Sequence, residues 1–339
     1  VSVIFVTGGA GYVGSHSVKA LAEAGYDVVV YDDLSAGHAE SVERIAAAVP
    51  ARSVSLVQGD ILDAARVREA LSASGASAVM HFAARLLVGE SVREPYKYYR
   101  TNVAGTLTVL EAMAAAKVTS FVFSSTCATF GNPVTVPMDE THPQRPINPY
   151  GESKLAVERA LPHLERASGI RSIALRYFNA AGADTGGVIG EDHEPEEHLI
   201  PLAIRAARGG KPLTIFGDDY DTPDGTCIRD YVHVADLASA HLASLKRLES
   251  GGPSGFFNLG NGEGSSVRDV IETVGRVAGV PVPHSVGPRR PGDPPRLVAS
   301  SARAHAELGW APRFADLETI VRTAWQWHVG APNGYRHRG

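Results

Sequence analysis

The sequence predicts an α/β protein: a doubly wound parallel sheet carrying a smaller C-terminal substrate-binding lobe. Three observations lead there. A short apolar run at 3–7 is followed at once by Gly8-Gly9-Ala10-Gly11-Tyr12-Val13-Gly14 and a helical stretch that Gly25 ends. Near-continuous apolar runs recur at 27–31, 54–58, 78–82, 121–124 and 172–177, with helical patterns between them, notably 102–116 and 151–168. Strands apolar on both faces that alternate with helices form a sheet covered on both sides. After Phe178 the alternation stops. Residues 1–178 therefore read as a Rossmann-type dinucleotide-binding domain and 179–339 as the substrate lobe, with some exchange of chain between them.

The first unit is a β-loop-α-β, its glycines in the first turn and its second strand at 27–31. In the second half, 179–192 is rich in Gly, Ala and Asp, 217–225 in Asp and Gly, and 287–295 in Pro, Gly and Arg. Such stretches suit loops that close over a ligand. Helical patterns return at 200–208, 234–248, 267–278 and 317–329, the last with Trp325 and Trp327 as packing residues. The tail after Gly330 reads as loosely ordered.

A chain of 339 residues can bury a large core, and 44% hydrophobic with 20% charged residues is ordinary for a globular protein. The net charge of −5 argues against a nucleic-acid partner. No apolar run approaches the ~20 residues of a spanning helix, so no membrane partner is expected. Cys127 and Cys227 lie far apart without paired spacing. That excludes a disulfide framework and a cysteine zinc site, and fits a reducing, cytoplasmic compartment. The chain opens directly in a strand with no charged leader, so no signal peptide is expected.

Gly8, Gly11 and Gly14 follow a strand and open a helix. The early glycines allow a tight turn and close approach of a pyrophosphate; the last lets the helix pack near the strand with its amides facing the phosphates. Asp32 ends the second strand. A carboxylate there accepts the adenosine ribose diol and repels a 2′-phosphate, which selects NAD over NADP. Gly59-Asp60-Ile61 closes the third strand, where Asp60 is placed either at the adenine amino group or at a solvated strand end.

Tyr150 and Lys154, four apart, fall on one helix face, where an ammonium can stabilise a phenolate. An unperturbed tyrosine, with pKa near ~10, is a poor base at neutral pH, so the pair reads as the acid/base of a hydride-transfer enzyme, with the hydroxyls of Ser124 and Thr126 upstream. The segment from Glu191 to His198 is dense in possible metal ligands, but its spacing fits no ligand pattern; it reads as a solvated loop, and no metal is expected. Arg229, Arg289 and Arg290, in Gly/Pro/Asp loops, suit bidentate capture of a diphosphate.

These motifs resemble the extended short-chain dehydrogenase/reductase family, and within it the UDP-glucose 4-epimerases. TGGAGYVGSH, HFAARLLVGES and PYGESKLAVE mark the wider family; IFGDDYDTPDGTCIRDYVHV and RRPGD mark the epimerases more specifically. The resemblance runs nearly end to end. It implies NAD as cofactor, a UDP-hexose as substrate in the lobe 179–339, and a homodimer built on helices near 102–116 and 151–168. Around the cofactor it places Tyr12, Val13, Phe82, Ala83, Ala84, Asn102, Ser124 and Tyr177 beside the residues already named. Tyr150 would take the proton of the sugar 4-hydroxyl, Lys154 would bind the nicotinamide ribose, and Thr126 would bridge the 4-oxygen to Tyr150. Phe178, Asn179, His198, Leu199, Phe216, Arg229, Arg290 and Asp293 would meet the substrate, and Leu297 would limit the sugar pocket.

The implied chemistry oxidises C4 to a ketone, turns the sugar over, and reduces it from the other face. Two departures stand out: Leu86 where many epimerases have lysine, and His198 where many have asparagine. A 4,6-dehydratase would need an Asp-Glu pair after Thr126, and Cys127-Ala128 stand there instead. UDP-N-acetylhexosamines, UDP-uronic acids and UDP-pentoses remain open as substrates. A non-catalytic dinucleotide-binding regulator would have no use for Thr126, Tyr150 and Lys154 together.

Overall fold

The structure, a computed structural model, describes residues 1–290 and 292–335. Six strands come from the first half of the chain: β1 (Val3–Thr7), β2 (Asp27–Asp32), β3 (Val54–Gln58), β4 (Ala78–His81), β5 (Ser120–Ser124) and β6 (Arg171–Tyr177). A seventh, Gly255–Leu259, comes from the second half and pairs with β6. The order is Gly255–Leu259, β6, β5, β4, β1, β2, β3, and every pairing is parallel. The chain passes from β1 to β2 on one side and to β4 on the other. That reversal opens a crevice beyond the carboxyl ends of β1 and β4, where such sheets bind ligands.

The strands are buried because both faces are covered. Ile4, Val6, Val28, Val30 and Met80 point into one core with Val18, Leu21, Leu237 and Leu245, so helix α1 (Tyr12–Glu23) shares a layer with Val234–Glu249. Phe5, Val79, Phe121 and Phe123 point into the other core with Leu71, Leu110, Met113 and Leu161. A third cluster around Ile204, Ile215, Val274 and Ile320 forms the core of the remaining second half.

Several expectations need correction. Sequence reading gave no strand at 255–259, because Phe256–Leu259 is a short apolar run with no helix leading straight out of it. The 102–116 helix starts differently: residues Tyr99–Gly105 form a wider π turn before the α-helix Thr106–Ala116. The tail is not loose as far as Tyr335, which is 5% exposed and packs at a tilt against Trp327 with ring centroids 5.0 Å apart. Its hydroxyl donates to the Gly190 carbonyl at 3.0 Å. Among the described residues, no helix is long and apolar enough to cross a membrane.

Candidate active site

The crevice is built by glycines whose reasons differ. A Cβ on Gly8, at φ +70°, would lie 2.4 Å from the Ala83 amide nitrogen, and one on Gly14 would lie 2.1 Å from the Gly8 carbonyl oxygen. Both positions are closed by the protein itself. At Gly11 an added Cβ would meet only the Gly8 oxygen, at an ordinary 3.5 Å. The fold does not need glycine there, so the open side is where a ligand approaches. Helix α1 begins at this point with no side chain capping its N-terminus, which leaves its first amides facing an anion. Asp32, 7% exposed, accepts the amides of Ala10 at 3.0 Å and Leu34 at 2.9 Å. Burial pushes its carboxyl up and these hydrogen bonds pull it back. A cradle open at Gly11, an uncapped helix end and a buried carboxylate fit NAD.

The other cofactor candidates surround the cradle or brace it. Phe82 and Ala83 both donate their amides to the Thr7 carbonyl, at 2.8 and 3.1 Å, and partly buried Ala84 follows them. Asp60 accepts the Leu62 amide at 2.8 Å, and Ile61 is packed under Gly105. Tyr12 turns its side chain away, its hydroxyl donating to the Gly182 carbonyl at 2.6 Å, so Tyr12 and Val13 offer the cleft their main chain. Asn102 is 1% exposed and fully engaged: it accepts the Arg85 amide at 2.8 Å and donates to the Arg85 carbonyl at 3.0 Å and Ser153 Oγ at 2.9 Å. It acts as a brace between the loop after β4 and the Tyr150 helix.

That helix, Pro149–Ser168, starts at Asn148, whose side chain accepts the Gly151 amide at 2.9 Å, with proline in the first turn. A Cβ on Gly151 would meet the Ala128 carbonyl at 2.5 Å. This close approach brings Tyr150 to Thr126. Burial pushes the Tyr150 phenol up to about 12, and its hydrogen bond with Thr126 pulls it back. Lys154, 3% exposed, donates from Nζ to the Ser124 carbonyl at 2.8 Å and lies 4.8 Å from the centre of the Phe123 ring. Burial lowers its pKa to about 7, opposed by Glu158. The Ser124 hydroxyl shares a 2.6 Å hydrogen bond with that of Tyr177. Lys154 thus grips the end of β5, while Thr126 is the side chain that meets the Tyr150 phenol.

On the substrate side, Phe178 and Leu297 each pack against the cluster of Cys127, Phe130, Met138 and Ala299. Asn179 donates to the Asp230 carbonyl at 3.0 Å. The Arg290 guanidinium lies 4.0 Å from the centre of the Phe216 ring, and Arg229 pairs with Asp293 at 3.2 Å. Arg289 is drawn off to Asp219, at 2.6 Å, and to the Tyr220 ring. Pro291, within the same motif, lies outside the described residues. Leu86 is 41% exposed. His198 and Leu199 begin the helix Leu199–Ala207.

Sequence reasoning missed two supports. Glu158, 2% exposed, binds Arg176 through both carboxylate oxygens at 2.9 and 2.6 Å and accepts Ser125 at 2.5 Å. Buried Asp230 accepts the amides of Asn261 at 2.9 Å and Ala299 at 3.1 Å, tying down the loops that carry Arg229 and Leu297. Glu158 ends PYGESKLAVE and Asp230 follows Arg229 in the IRDYVHV stretch, yet no role was expected of either; only their burial identifies them. The solvated-loop reading of 191–198 fails in the same way. Glu191 is 3% exposed and lies 2.6 Å from His198 Nδ1, because Trp327 and the tail cover this segment.

A nucleotide cradle at the switch point, with Tyr150 beside buried Lys154 and Thr126 where β5 ends, defines a dinucleotide-dependent enzyme that oxidises an alcohol. Residues 4–260 match the model of the NAD dependent epimerase/dehydratase family. The chain belongs to that family. It is 50% identical over 333 residues to the UDP-glucose 4-epimerase of Halalkalibacterium halodurans, covering 98% of this chain and 97% of that one. It superposes on the UDP-glucose 4-epimerase of Brucella ovis in complex with NAD at TM-score 0.91 and 48% identity, over 96% and 98% of the two chains. The Stenotrophomonas maltophila UDP-glucose 4-epimerase with NAD and formylated UDP-arabinopyranose gives TM-score 0.94 at 39% identity, over 98% and 99%.

Proposed function

We infer that this chain catalyses the reversible C4 epimerisation of UDP-glucose and UDP-galactose, with tightly held NAD and a 4-keto sugar intermediate. The observation that carries the reading is the half-buried Tyr150 phenol beside the Thr126 hydroxyl, with Lys154 gripping the end of β5. Gly8, Gly11, Gly14 and Asp32 hold the cofactor. NAD, when bound, supplies the reversible removal and return of two electrons at C4.

Tyr150 takes the O4 proton as the alcohol becomes a ketone and returns it when the alcohol re-forms. A phenol held near 12 is almost wholly protonated at neutral pH, so charge at the reacting centre must lower it before it can take a proton; Lys154, buried nearby on the same helix, is this chain's own source. Thr126 directs its hydroxyl to the phenol and relays the proton. Net redox is zero over a cycle, so nothing requires the cofactor to leave. Phe216 with Arg290, and Arg229 with Asp293, grip the uridine and its phosphates, assisted by Asn179. Toward the sugar stand partly buried Phe178 and Leu297, packed on the apolar cluster of Cys127, Phe130, Met138 and Ala299, side chains that cannot hold hydroxyls. Binding energy therefore rests on UDP, and the hexose is free to turn over.

The assembly is a homodimer in this reading. Val92, Tyr96 and Tyr99, which lead into the 102–116 helix, are 63%, 86% and 43% exposed, an apolar strip suited to a second copy. The free, buried Cys127 and Cys227 fit a cytoplasmic setting. Residues 1–178 form the NAD domain and 179–339 the UDP-sugar lobe, with helix Val234–Glu249 and strand Gly255–Leu259 lent back to the sheet. Incubating the purified protein with UDP-glucose, without added cofactor, and following UDP-galactose by NMR tests the activity. No epimer from NAD-replete protein would end the proposal, and sedimentation as a monomer at micromolar concentration would end the dimer.

A further inference from the structure

Four side chains outside the catalytic group converge where α1, the segment before Leu199–Ala207 and the C-terminal helix meet. Nδ1 of His198 lies 2.6 Å and Nδ1 of His193 3.2 Å from the same oxygen, Glu191 Oε1. Glu196 closes the group, 3.3 Å from His198 and 3.9 Å from His193. One donor atom from each of the four lies within 4.8 Å of all the others. The two carboxylates are 3% and 9% exposed. Despite these separations, Glu191 Oε1, His193 Nδ1 and His198 Nδ1 are buried with no hydrogen-bond partner.

Short contacts without hydrogen-bond geometry are what ligand atoms show around a shared ion. Donors held at ~2.0–2.2 Å from one metal in a tetrahedral shell lie roughly 3.3–3.6 Å from one another, close to most of the separations here. Charge points the same way. Two buried carboxylates need two compensating positive charges. Imidazolium rings could supply them only as like charges with centroids 5.3 Å apart, whereas one dication neutralises both carboxylates and uses both rings neutral. We propose that Glu191, His193, Glu196 and His198 bind one divalent first-row transition-metal ion, with zinc as the representative. Two imidazoles and two carboxylates suit that class better than calcium or magnesium, which favour all-oxygen shells.

Four protein ligands leave no open position, so the ion is structural. It would pin the 191–198 segment between its neighbours. Trp327 Nε1 already donates to the Glu191 carbonyl at 2.9 Å, and the Tyr12 ring stands edge-on to His193 at 6.1 Å. It would also commit the His198 ring to the metal, leaving only main chain at that position for substrate phosphates. The inference does not depend on which sugar the enzyme turns over.

The test uses the NAD-loaded full-length protein grown with zinc. Mass spectrometry should find roughly one zinc per chain, as a closed four-ligand site holds. Chelation should lower the Tm, zinc should restore it, and Co²⁺ in its place should give visible d–d absorption. Glu191→Gln and His193→Ala, neither of them a substrate-binding candidate, should each abolish stoichiometric binding. If Zn²⁺ and Co²⁺ neither bind nor shift the Tm of the stripped wild-type protein, or if both variants still bind, the proposal is overturned and the group is a histidine–glutamate ion-pair network.

Discussion

Lys154 Nζ donates to the main-chain carbonyl of Ser124 at 2.8 Å, across 30 residues of sequence and inside the core. The bond joins the helix that carries Tyr150 to the strand end that leads into Thr126. It also places an ammonium where burial lowers its pKa from 10.5 to about 7. Stability must therefore depend on pH. Between about 7 and 10.5 the unfolded chain binds a proton that the folded chain has released, so stability rises with pH there, and the cost of the buried charge is fully present below about 7. Above about 9 the Cys127 thiol, which burial raises, begins to act in the opposite direction. Tm of the cofactor-free protein should climb from pH 7 to 9, and Lys154→Met should flatten that climb. An equal climb in the variant would assign it to another group.

Tyr150→Phe should reduce turnover by about 10²–10⁴, the usual contribution of a general acid/base group, with NAD retention and UDP affinity close to wild type. Near-normal turnover would refute the role of the phenol.

Thr126 has two tasks, because Oγ1 also accepts the Ala128 amide at 3.1 Å and caps the turn Cys127–Thr129. Thr126→Ser should keep both. Thr126→Val should lose about 1 kcal/mol of stability with the cap and slow turnover, but less than Tyr150→Phe does. Denaturant melts and turnover of the three proteins separate the two tasks.

Leu297, like Phe178, packs against the apolar cluster of Cys127, Phe130, Met138 and Ala299. UDP-glucose and UDP-galactose should be preferred, with weak turnover of N-acetylhexosamines, because an acetamido group needs room in both orientations of the sugar. Leu297→Ser should raise the N-acetyl reaction, and Leu297→Tyr should abolish it while sparing the hexoses. The measurement is kcat/KM for both substrate pairs, and insensitivity to residue size would remove Leu297 as the gate.

Acid should unfold the protein through its buried histidines. Burial lowers His16, His233 and His241 from 6.5 to about 4, and His81 to about 3. Below 6.5 the unfolded chain takes up protons that the folded chain refuses, so stability falls from pH 6.5 towards 4. By pH 5 each costs about 2 kcal/mol, and together they rival the ~5–15 kcal/mol of a typical domain. A stability profile that stayed flat down to pH 4 would contradict this.

The sequence by itself determined the parallel sheet, the glycine cradle, the carboxylate at Asp32 and the Tyr150–Lys154 spacing. Each is written in local pattern: apolar runs, turn residues, and the four-residue repeat of one helix face. The pairings across the site were decided by tertiary structure. Phe216 meets Arg290, Arg229 meets Asp293, and Asn102 braces Arg85 only because distant segments dock. The same holds for the strand Gly255–Leu259, which gains its place by pairing with β6, and for Tyr335, ordered by Trp327 rather than by its neighbours in sequence. Glu191 and Glu196 show the limit most plainly. A carboxylate in a polar run is solvated on every local criterion, and only the burial imposed by Trp327 and the tail changes its chemistry, because desolvation is a property of the whole fold.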